Sequence, residues 1–260
     1  MSALHARDRG GVRVLTIDNR AKRNALDFAL LDALADACAA AGRDGVRCLV
    51  LRGAGDDAFS SGFDLDAMGD RSARGERPDE AVERAGEALE SVPCPTVAFL
   101  NGAAYGGGLE LAVTCDLRVA RAGVRLGMPA ARLGVVYPEP GLRRFAELLG
   151  PARVRELFFT ARAIDAETAL AWGLVSRVEP ADAAEAAALA LADEIAAQAP
   201  LAVTGTKRIL RLLAAARERG LTDAERAEVA ELRRLAFESE DLAEARRARA
   251  EKRPPRFRGR

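Results

Sequence analysis

An α/β fold is predicted for this sequence, and three observations predict it. Over the first two thirds of the 260 residues, short runs rich in β-branched residues alternate with segments whose apolar residues recur every three or four positions. After residue 178 the pattern becomes helical only. Hydrophobic residues make up 49% of the chain and aromatic residues 5%, which suits a substantial core with much helix. Such alternation is typical of helices layered on a sheet.

The strands are predicted from apolar or β-branched runs bounded by glycine, proline or polar residues. The first, residues 12–18, precedes a helix that begins after Asp27, whose carboxylate can accept bonds from the free amides of the first turn. The apolar face of that helix is spaced at three and four residues and contains Phe28, Leu31, Leu34, Ala35 and Cys38. Further strands are predicted at residues 46–52, 96–100, 117–120 and 174–178, and a short helix at residues 109–114.

A polar segment and a helical C-terminal part differ from this alternating pattern. Residues 68–84 are polar and rich in charge and glycine, so we expect a mobile loop that leads into a helix. The C-terminal part predicts helices at residues 181–198, 201–217, 223–237 and 242–252. Because their apolar stripes need a surface to pack on, we expect a core domain at residues 1–198 and a helical subdomain at residues 199–260 that docks on the core or on another subunit.

The charges disfavour some classes of function. Lysine plus arginine and aspartate plus glutamate both number 39, so no overall field favours nucleic acid or an anionic membrane. Residues 243–260 are different, with eight basic residues against Glu244 and Glu251. This tail is either a solvated basic segment or a surface that faces phosphate groups.

The cysteines, the histidine and the N-terminal sequence argue against several kinds of site. The four cysteines are far apart without a CxxC spacing, and His5 is the only histidine. A disulfide framework, a zinc site or a Ser-His-Asp triad is therefore poorly supported. We recognise no signal peptide and no apolar run of about 18 residues, so we expect a cytoplasmic protein.

Two glycine-containing segments carry the functional information. Residues 58–65 (AFSSGFDL) follow the strand at residues 46–52, and residues 101–111 (NGAAYGGGLEL) run from a strand into a helix. Each segment alone is what any tight turn requires. In this order and spacing they resemble the two oxyanion-hole segments of the crotonase (enoyl-CoA hydratase/isomerase) superfamily. The resemblance extends over nearly the whole chain and includes residues 23–26, 115–117, 171–175, 237–241 and 251–257.

The resemblance implies a crotonase-like ββα spiral core with a C-terminal α-helical trimerisation subdomain, assembled as a homotrimer or a dimer of trimers. It also implies that the backbone N–H groups of Phe63 and Gly107 donate to the thioester oxygen of an acyl-CoA and stabilise its enolate. Glu110 would be the catalytic acid/base that handles water. Because it follows Gly107 by three residues, a helix would present it on nearly the same face.

The sequence departs from the family pattern at the second acid/base residue. Where hydratases of the family carry another glutamate, this chain has Ala130. Tyr137 matches a tyrosine of methylmalonyl-CoA decarboxylase, a family member that lacks the same glutamate, although Phe63 stands where that enzyme has histidine. Glu139 lies one position from an acidic residue of some family isomerases and could serve as the second carboxylate. Alternatively, Tyr137 and Glu139 only build a proline-rich loop.

Contacts with the CoA moiety are implied by less specific matches. The residues that match the nucleotide and pantetheine-binding stretches of the family, or lie beside them, are Arg23, Ala25, Ser61, Asp64 and Leu65. Lys252 and Phe257 match tail residues that in several members reach CoA, sometimes in a neighbouring subunit. The basic tail would then meet the phosphate charges of CoA.

The leading interpretation is an enoyl-CoA hydratase-type lyase, and the alternative is an acyl-CoA double-bond isomerase or methylmalonyl-CoA-type decarboxylase that uses the same enolate. No metal or redox cofactor is expected, and CoA enters as part of the substrate. A dehydrogenase is a weaker rival, because residues 53–58 resemble GxGxxA but must also open a helix. RNA binding through the basic tail is disfavoured by the balanced total charge.

Overall fold

Two β-sheets form the framework of the fold. The computed structural model describes residues 2–67, 72, 75–216, 222–253 and 255–260. Among these residues the strands are β1 (Ala3–Arg9), β2 (Val12–Asp18), β3 (Cys48–Gly53), β4 (Ala58–Ser60), β5 (Thr96–Leu100), β6 (Ala103–Tyr105), β7 (Leu117–Arg121), β8 (Arg125–Gly127), β9 (Ile164–Asp165) and β10 (Arg177–Glu179). The larger sheet has the order β1-β2-β3-β5-β7-β10 and the smaller sheet the order β4-β6-β8-β9.

Helices surround the sheets and extend the C-terminal part. In the described ranges they are α1 (Phe28–Arg43), α2 (Pro78–Ser91), α3 (Gly107–Thr114), α4 (Glu139–Thr160), α5 (Ala166–Trp172), α6 (Ala184–Ala196), α7 (Pro200–Ala215), α8 (Asp223–Glu238) and α9 (Glu240–Ala250). The predicted cap of α1 is confirmed, because the Asp27 carboxylate accepts a hydrogen bond from the Leu30 N–H at 2.8 Å.

Strand direction brings two loops to one edge of the smaller sheet. β1 and β2 form an antiparallel hairpin, whereas the other neighbours in the larger sheet pair in parallel. In the smaller sheet β4, β6 and β8 are also parallel. Because parallel neighbours end at the same edge, the segments that follow β4 and β6 leave the sheet side by side.

The inner strands of the larger sheet are buried on both faces, and their side chains alternate between two cores. On β3, Leu49 and Leu51 point into the main core, which includes α1, α2 and α3. Cys48 and Val50 point to the other face, where they pack on alanines of α6. This period of two fixes the register of the strands, because a slip of one residue would exchange the two faces.

The start of α3 lies directly on β4 because Gly108 has no side chain. A β-carbon at Gly108 would lie 2.5 Å from the Ser60 Cβ, which is a clash. The loops that face each other here also contain Gly62 and Gly106, with φ angles of 94° and 51° that other residues rarely adopt. Glycine at these three positions therefore allows the two loops to meet.

The C-terminal helices dock on the core through a buried ammonium group. The Lys207 Nζ on α7 donates to the Asp116 carboxylate at 2.7 Å and to the Cys94 carbonyl at 2.9 Å. A domain boundary at residue 198 stays a prediction. Within the described ranges no single helix is long and apolar enough to cross a membrane, and α6 and α7, which pass that test only in combination, are bent by 103°.

Some predicted elements are confirmed and others differ in the structure. The strands predicted at residues 12–18 and 96–100 are confirmed. The last strand of the larger sheet begins at Arg177 rather than at residue 174, because Leu174 and Val175 end the turn after α5. The predicted loop at residues 68–84 falls partly outside the described residues, and the expected helix begins at Pro78. Residues 53–58 join β3 to β4 without opening a helix, which argues against the dehydrogenase reading.

Candidate active site

A cavity of about 250 Å³ lies where the ends of β4 and β6 meet α2 and the segment before α4. Its walls are largely apolar, with carboxylates on α2 and α3. The lining includes Phe63, Leu65, Pro78, Asp79, Val82, Gly107, Glu110, Ala130, Leu133, Val135 and Tyr137. An apolar cleft with a few polar groups at its base is typical of a small-molecule site.

Phe63 and Gly107 both line this cavity, and their backbone amides lack partners in the described structure. Leu26 and Phe63 form a short parallel β-bridge. In it the Leu26 N–H donates to the Gly62 carbonyl at 2.8 Å, and the Asp64 N–H donates to the Leu26 carbonyl at 2.8 Å. The amide of Phe63, between these two residues, therefore points away from Leu26. Gly107 is the first residue of α3, where an amide has no partner within the helix. Among the described residues no hydrogen bond uses either amide. Both N–H groups are therefore available to a bound oxygen atom.

The two loops that carry these amides are in contact. Gly62 lies so close to the second loop that a β-carbon there would be 2.9 Å from the Tyr105 carbonyl oxygen and 3.6 Å from the Gly107 nitrogen. The structure thus brings together the two segments from which the sequence predicted an oxyanion hole.

Glu110 is buried at the base of the cavity, on α3. The whole residue is only 3% exposed. Burial raises the pKa of Glu110 to about 7, although the positive charge of Arg144 opposes that change. A carboxyl group with a pKa close to neutral can both accept and return a proton.

Tyr137 reaches the same point from the segment before α4. It lines the cavity and is half-buried, and its hydroxyl interacts with the Glu110 carboxylate. Burial, together with the charge of Glu110, raises the pKa of Tyr137 above its usual value, so the phenol stays protonated. Gly141 makes room for this pair, because a β-carbon there would lie 2.7 Å from the Glu110 Oε1 and 3.2 Å from the Tyr137 Cδ1.

Arg144, which the sequence reasoning did not single out, lies behind Glu110. Its Nη1 is 3.4 Å from the Glu110 Oε1, and its guanidinium also binds Glu83 and Glu90 on α2. The side chain is buried on α4, a helix that was missed because glycine and proline occur near its start and at Gly150-Pro151 in its middle. The sequence signal that could have identified Arg144 is its position among apolar residues of the helix, because a buried arginine usually needs a charged partner.

The structure separates Ala130, the position of the missing second glutamate, from Glu139, its predicted replacement. Ala130 lines the cavity, so an apolar methyl group stands where the family resemblance implies a second glutamate. Glu139 lies outside the lining at the first residue of α4, with its side chain 76% exposed and 3.7 Å from Arg143. The structure therefore does not bring Glu139 to the site, because the helix start turns its side chain toward solvent.

Of the residues predicted to contact CoA, Ser61 and Leu65 line the cavity, whereas Arg23, Ala25 and Asp64 lie outside its lining. Leu65 is 61% exposed and Arg23 is exposed, whereas Ala25 is buried. The Ser61 hydroxyl donates to the Lys22 carbonyl at 3.0 Å, and the Asp64 carboxylate accepts from Lys22 at 2.6 Å.

The predicted tail residues lie elsewhere in this chain. Neither Lys252 nor Phe257 lines the cavity, and Phe257 instead borders a groove along α7. No cluster of three or more histidine, cysteine or acidic side chains suited to a metal ion occurs in the part of the chain that the structure describes.

Comparison with known proteins shows the family of this chain. The family model described as enoyl-CoA hydratase/isomerase matches residues 7–260. The probable enoyl-CoA hydratase echA6 of Mycobacterium tuberculosis is 37% identical over 95% of this chain and 96% of its own length. The carnitinyl-CoA dehydratase of Proteus mirabilis is 35% identical over 99% of both chains.

Solved structures show the same fold. An enoyl-CoA hydratase from Bacillus anthracis superposes with a TM-score of 0.90 at 28% identity over 99% of both chains. An enoyl-CoA hydratase/carnithine racemase from Magnetospirillum magneticum gives a TM-score of 0.91 at 30% identity, over 100% of this chain and 97% of the other. The expected crotonase-like α/β fold is thus confirmed, and the chain is an enzyme that belongs to the enoyl-CoA hydratase/isomerase family.

Proposed function

We propose that this enzyme adds water reversibly to the double bond of a 2-enoyl-CoA thioester, with Glu110 as its acid/base. The observation that carries the proposal is a buried carboxyl group with a pKa raised to about 7, in a cavity lined also by Phe63 and Gly107, whose backbone amides have no hydrogen-bond partner among the described residues. The names of the relatives, a probable enoyl-CoA hydratase and a carnitinyl-CoA dehydratase, support the same reaction class.

The Phe63 and Gly107 amides would hold the thioester oxygen. Negative charge grows on this oxygen when a nucleophile attacks the β-carbon, and fixed donors in a water-poor site stabilise that charge. Loss of one such donor typically costs about 3–4 kcal/mol of transition-state stabilisation. Because Gly107 begins α3, the positive end of the helix dipole adds to the same field.

Glu110 would carry the proton through both halves of the reaction. Its carboxylate takes a proton from water while the water oxygen bonds to the β-carbon, and the electron pair of the double bond moves to the α-carbon and the thioester oxygen. Since Ala130 has no proton to give, Glu110 then returns its proton to the α-carbon and becomes a carboxylate again. The Tyr137 hydroxyl beside it orients the water. Proton transfer and water addition need no metal or redox cofactor.

The test is hydration of crotonyl-CoA, followed by loss of the enoyl absorbance. Glu110→Gln should lower turnover by about 100-fold or more, the usual range for a positioned acid/base. Glu139→Gln is the matched control, because it makes the same chemical change on an exposed glutamate outside the cavity, and its turnover should equal that of the wild type. Equal turnover of Glu110→Gln and the wild type would exclude Glu110 from the mechanism.

A second candidate function is isomerisation or decarboxylation of an acyl-CoA through the same enolate. Ala130 in the cavity wall and Tyr137 beside Glu110 favour it, since one proton carrier and a phenol suffice for those reactions. A panel that contains 3-enoyl-CoA and methylmalonyl-CoA separates the alternatives. A gain of enoyl absorbance indicates isomerisation, and release of carbon dioxide indicates decarboxylation.

The proposal includes self-association as a homotrimer or a dimer of trimers. Its support is the apolar surface of α7 in the single chain, where Leu210 is 60% exposed and Leu213 is 49% exposed. Light scattering should give three or six times the mass of 27.6 kDa, and a double change of these leucines to glutamate should lower it. A monomeric wild type would contradict this part of the proposal.

A further inference from the structure

The guanidinium of Arg144 is held by two carboxylates of α2. Glu83 and Glu90 are seven residues apart, so they lie on the same face of α2, with Gly86 between them. A β-carbon at Gly86 would lie 3.6 Å from the Arg144 Nη1 and Nη2, at ordinary contact distance. Arg144 donates to Glu90 from Nε at 2.6 Å, and to Glu83 from Nη1 at 2.8 Å and Nη2 at 2.6 Å.

The contact of Arg144 with Glu110 is longer than its contacts with α2. The Nη1 group is shared, with the Glu83 Oε2 at 2.8 Å and the Glu110 Oε1 at 3.4 Å. The Glu83 side chain is 16% exposed, whereas those of Arg144 and Glu110 are only 8% and 5% exposed. In such a dry environment a change of a few tenths of an ångström in an ion pair has a large electrostatic effect.

The charged and titratable groups around Glu110 come from three directions. Arg144 faces it from α4, Glu83 and Asp79 face it from α2, and Tyr137 faces it from the segment before α4. Arg144 is the cation among them, and Glu83 is the carboxylate that competes with Glu110 for the same N–H group.

We propose that Arg144 and Glu83 are positioning residues for Glu110: Glu83 holds the guanidinium back from Glu110, so that Glu110 both takes and returns a proton during turnover. A close ion pair with Arg144 would fix Glu110 as a carboxylate, and the loss of Arg144 would leave it protonated. The intermediate distance avoids both extremes. This inference rests on the proposed acid/base role of Glu110, but its first test does not depend on turnover.

The test is an NMR titration of the full-length protein labelled with ¹³C in the glutamate side-chain carboxyl groups. The Glu110 signal is the one that Glu110→Gln removes. In Glu83→Gln we expect its midpoint to fall by about one pH unit, because the guanidinium can approach and a repelling charge is gone. In Arg144→Met we expect it to rise by about one pH unit, because the cation is lost.

Glu90→Gln is the matched control. It removes the same charge and one hydrogen bond from Arg144, but Glu90 binds Nε and does not compete for Nη1. The Glu110 midpoint should therefore stay at the wild-type value. Equal midpoints in Glu83→Gln and Glu90→Gln, or a lower midpoint in Arg144→Met, would overturn the proposal. If Arg144→Met does not fold by circular dichroism, the comparison of the two glutamine variants decides.

The pH profile of kcat/KM separates this inference from the proposed function. If Glu110 is the base, the acidic limb of the profile should move with the NMR midpoint in each variant. Midpoints that shift while the limb stays in place would support the positioning by Arg144 and Glu83 and would overturn the acid/base role. Midpoints that stay in place would overturn the positioning, whatever the activity.

Discussion

Gly141→Ala should reduce catalysis without weakening the fold. Gly141 belongs to α4, where its backbone is helical, so alanine is compatible with the conformation. A new β-carbon would lie 2.7 Å from the Glu110 Oε1, and ordinary contact begins at 3.4 Å. The carboxylate must therefore retreat by about 0.7 Å toward the cavity, where there is open space.

The magnitude follows from this displacement. A catalytic group misplaced by about 1 Å can cost about 100-fold in rate, so we expect Gly141→Ala to lower kcat by about 10-fold to 100-fold. The unfolding free energy should stay the same or rise slightly. Alanine in a helix is favoured over glycine by about 1 kcal/mol, and the displaced carboxylate faces a cavity rather than packed side chains. The loss of activity should thus appear at an unchanged or slightly higher melting temperature.

The assay combines steady-state kinetics on the best thioester of the panel with thermal unfolding followed by circular dichroism. Gly42→Ala is the control, because Gly42 is a helical glycine of α1 whose added β-carbon would touch only Pro93, away from the cavity. Full activity in Gly141→Ala would refute the close packing of Gly141 against the Glu110 carboxylate. A fall of the melting temperature that accounts for the lost activity would refute the catalytic explanation.

Three further predictions concern stability. The pKa of Glu110 rises from its ordinary value of 4.5 to about 7 on folding, so the folded protein binds this proton more tightly than the unfolded chain does. The unfolding free energy should therefore fall by about 3 kcal/mol as the pH rises from 4.5 to about 7. Urea unfolding of Glu110→Gln should lack that decrease. Gly108→Ala should cost about 1–3 kcal/mol in urea unfolding, because its β-carbon would lie 2.5 Å from the Ser60 Cβ, and an unchanged midpoint would contradict this packing. Lys207→Met should cost about 1–3 kcal/mol by the same measurement, since it removes the donor to Asp116 and to a buried carbonyl, and equal stability would show that the buried ammonium contributes nothing.

Two kinds of feature could be predicted from the sequence. The cap at Asp27 is local, because the carboxylate accepts from an amide only three positions away. Phe63, Gly107 and Glu110 were predicted from the resemblance of two glycine segments to those of the family, and the structure places all three residues in the lining of one cavity.

Features that arise from long-range packing could not be predicted. Arg144 meets Glu83 and Glu110 across 61 and 34 positions of the chain, and no local pattern joins them. Glu139 seemed close to the site along the sequence, but the start of α4 turns it toward solvent. The strands of the smaller sheet are only two or three residues long, which is too short for an alternating pattern to appear.

The position of α2 has a consequence for redesign of the acyl specificity. Val82 forms part of the cavity wall, and the next residue is Glu83, which we propose holds Arg144 back from Glu110. A substitution that enlarges or fills the wall at Val82 would act on the same helical turn that carries Glu83. Libraries that vary substrate size should therefore be screened at several pH values, because we expect such variants to change the pH optimum as well as the fit of the acyl group.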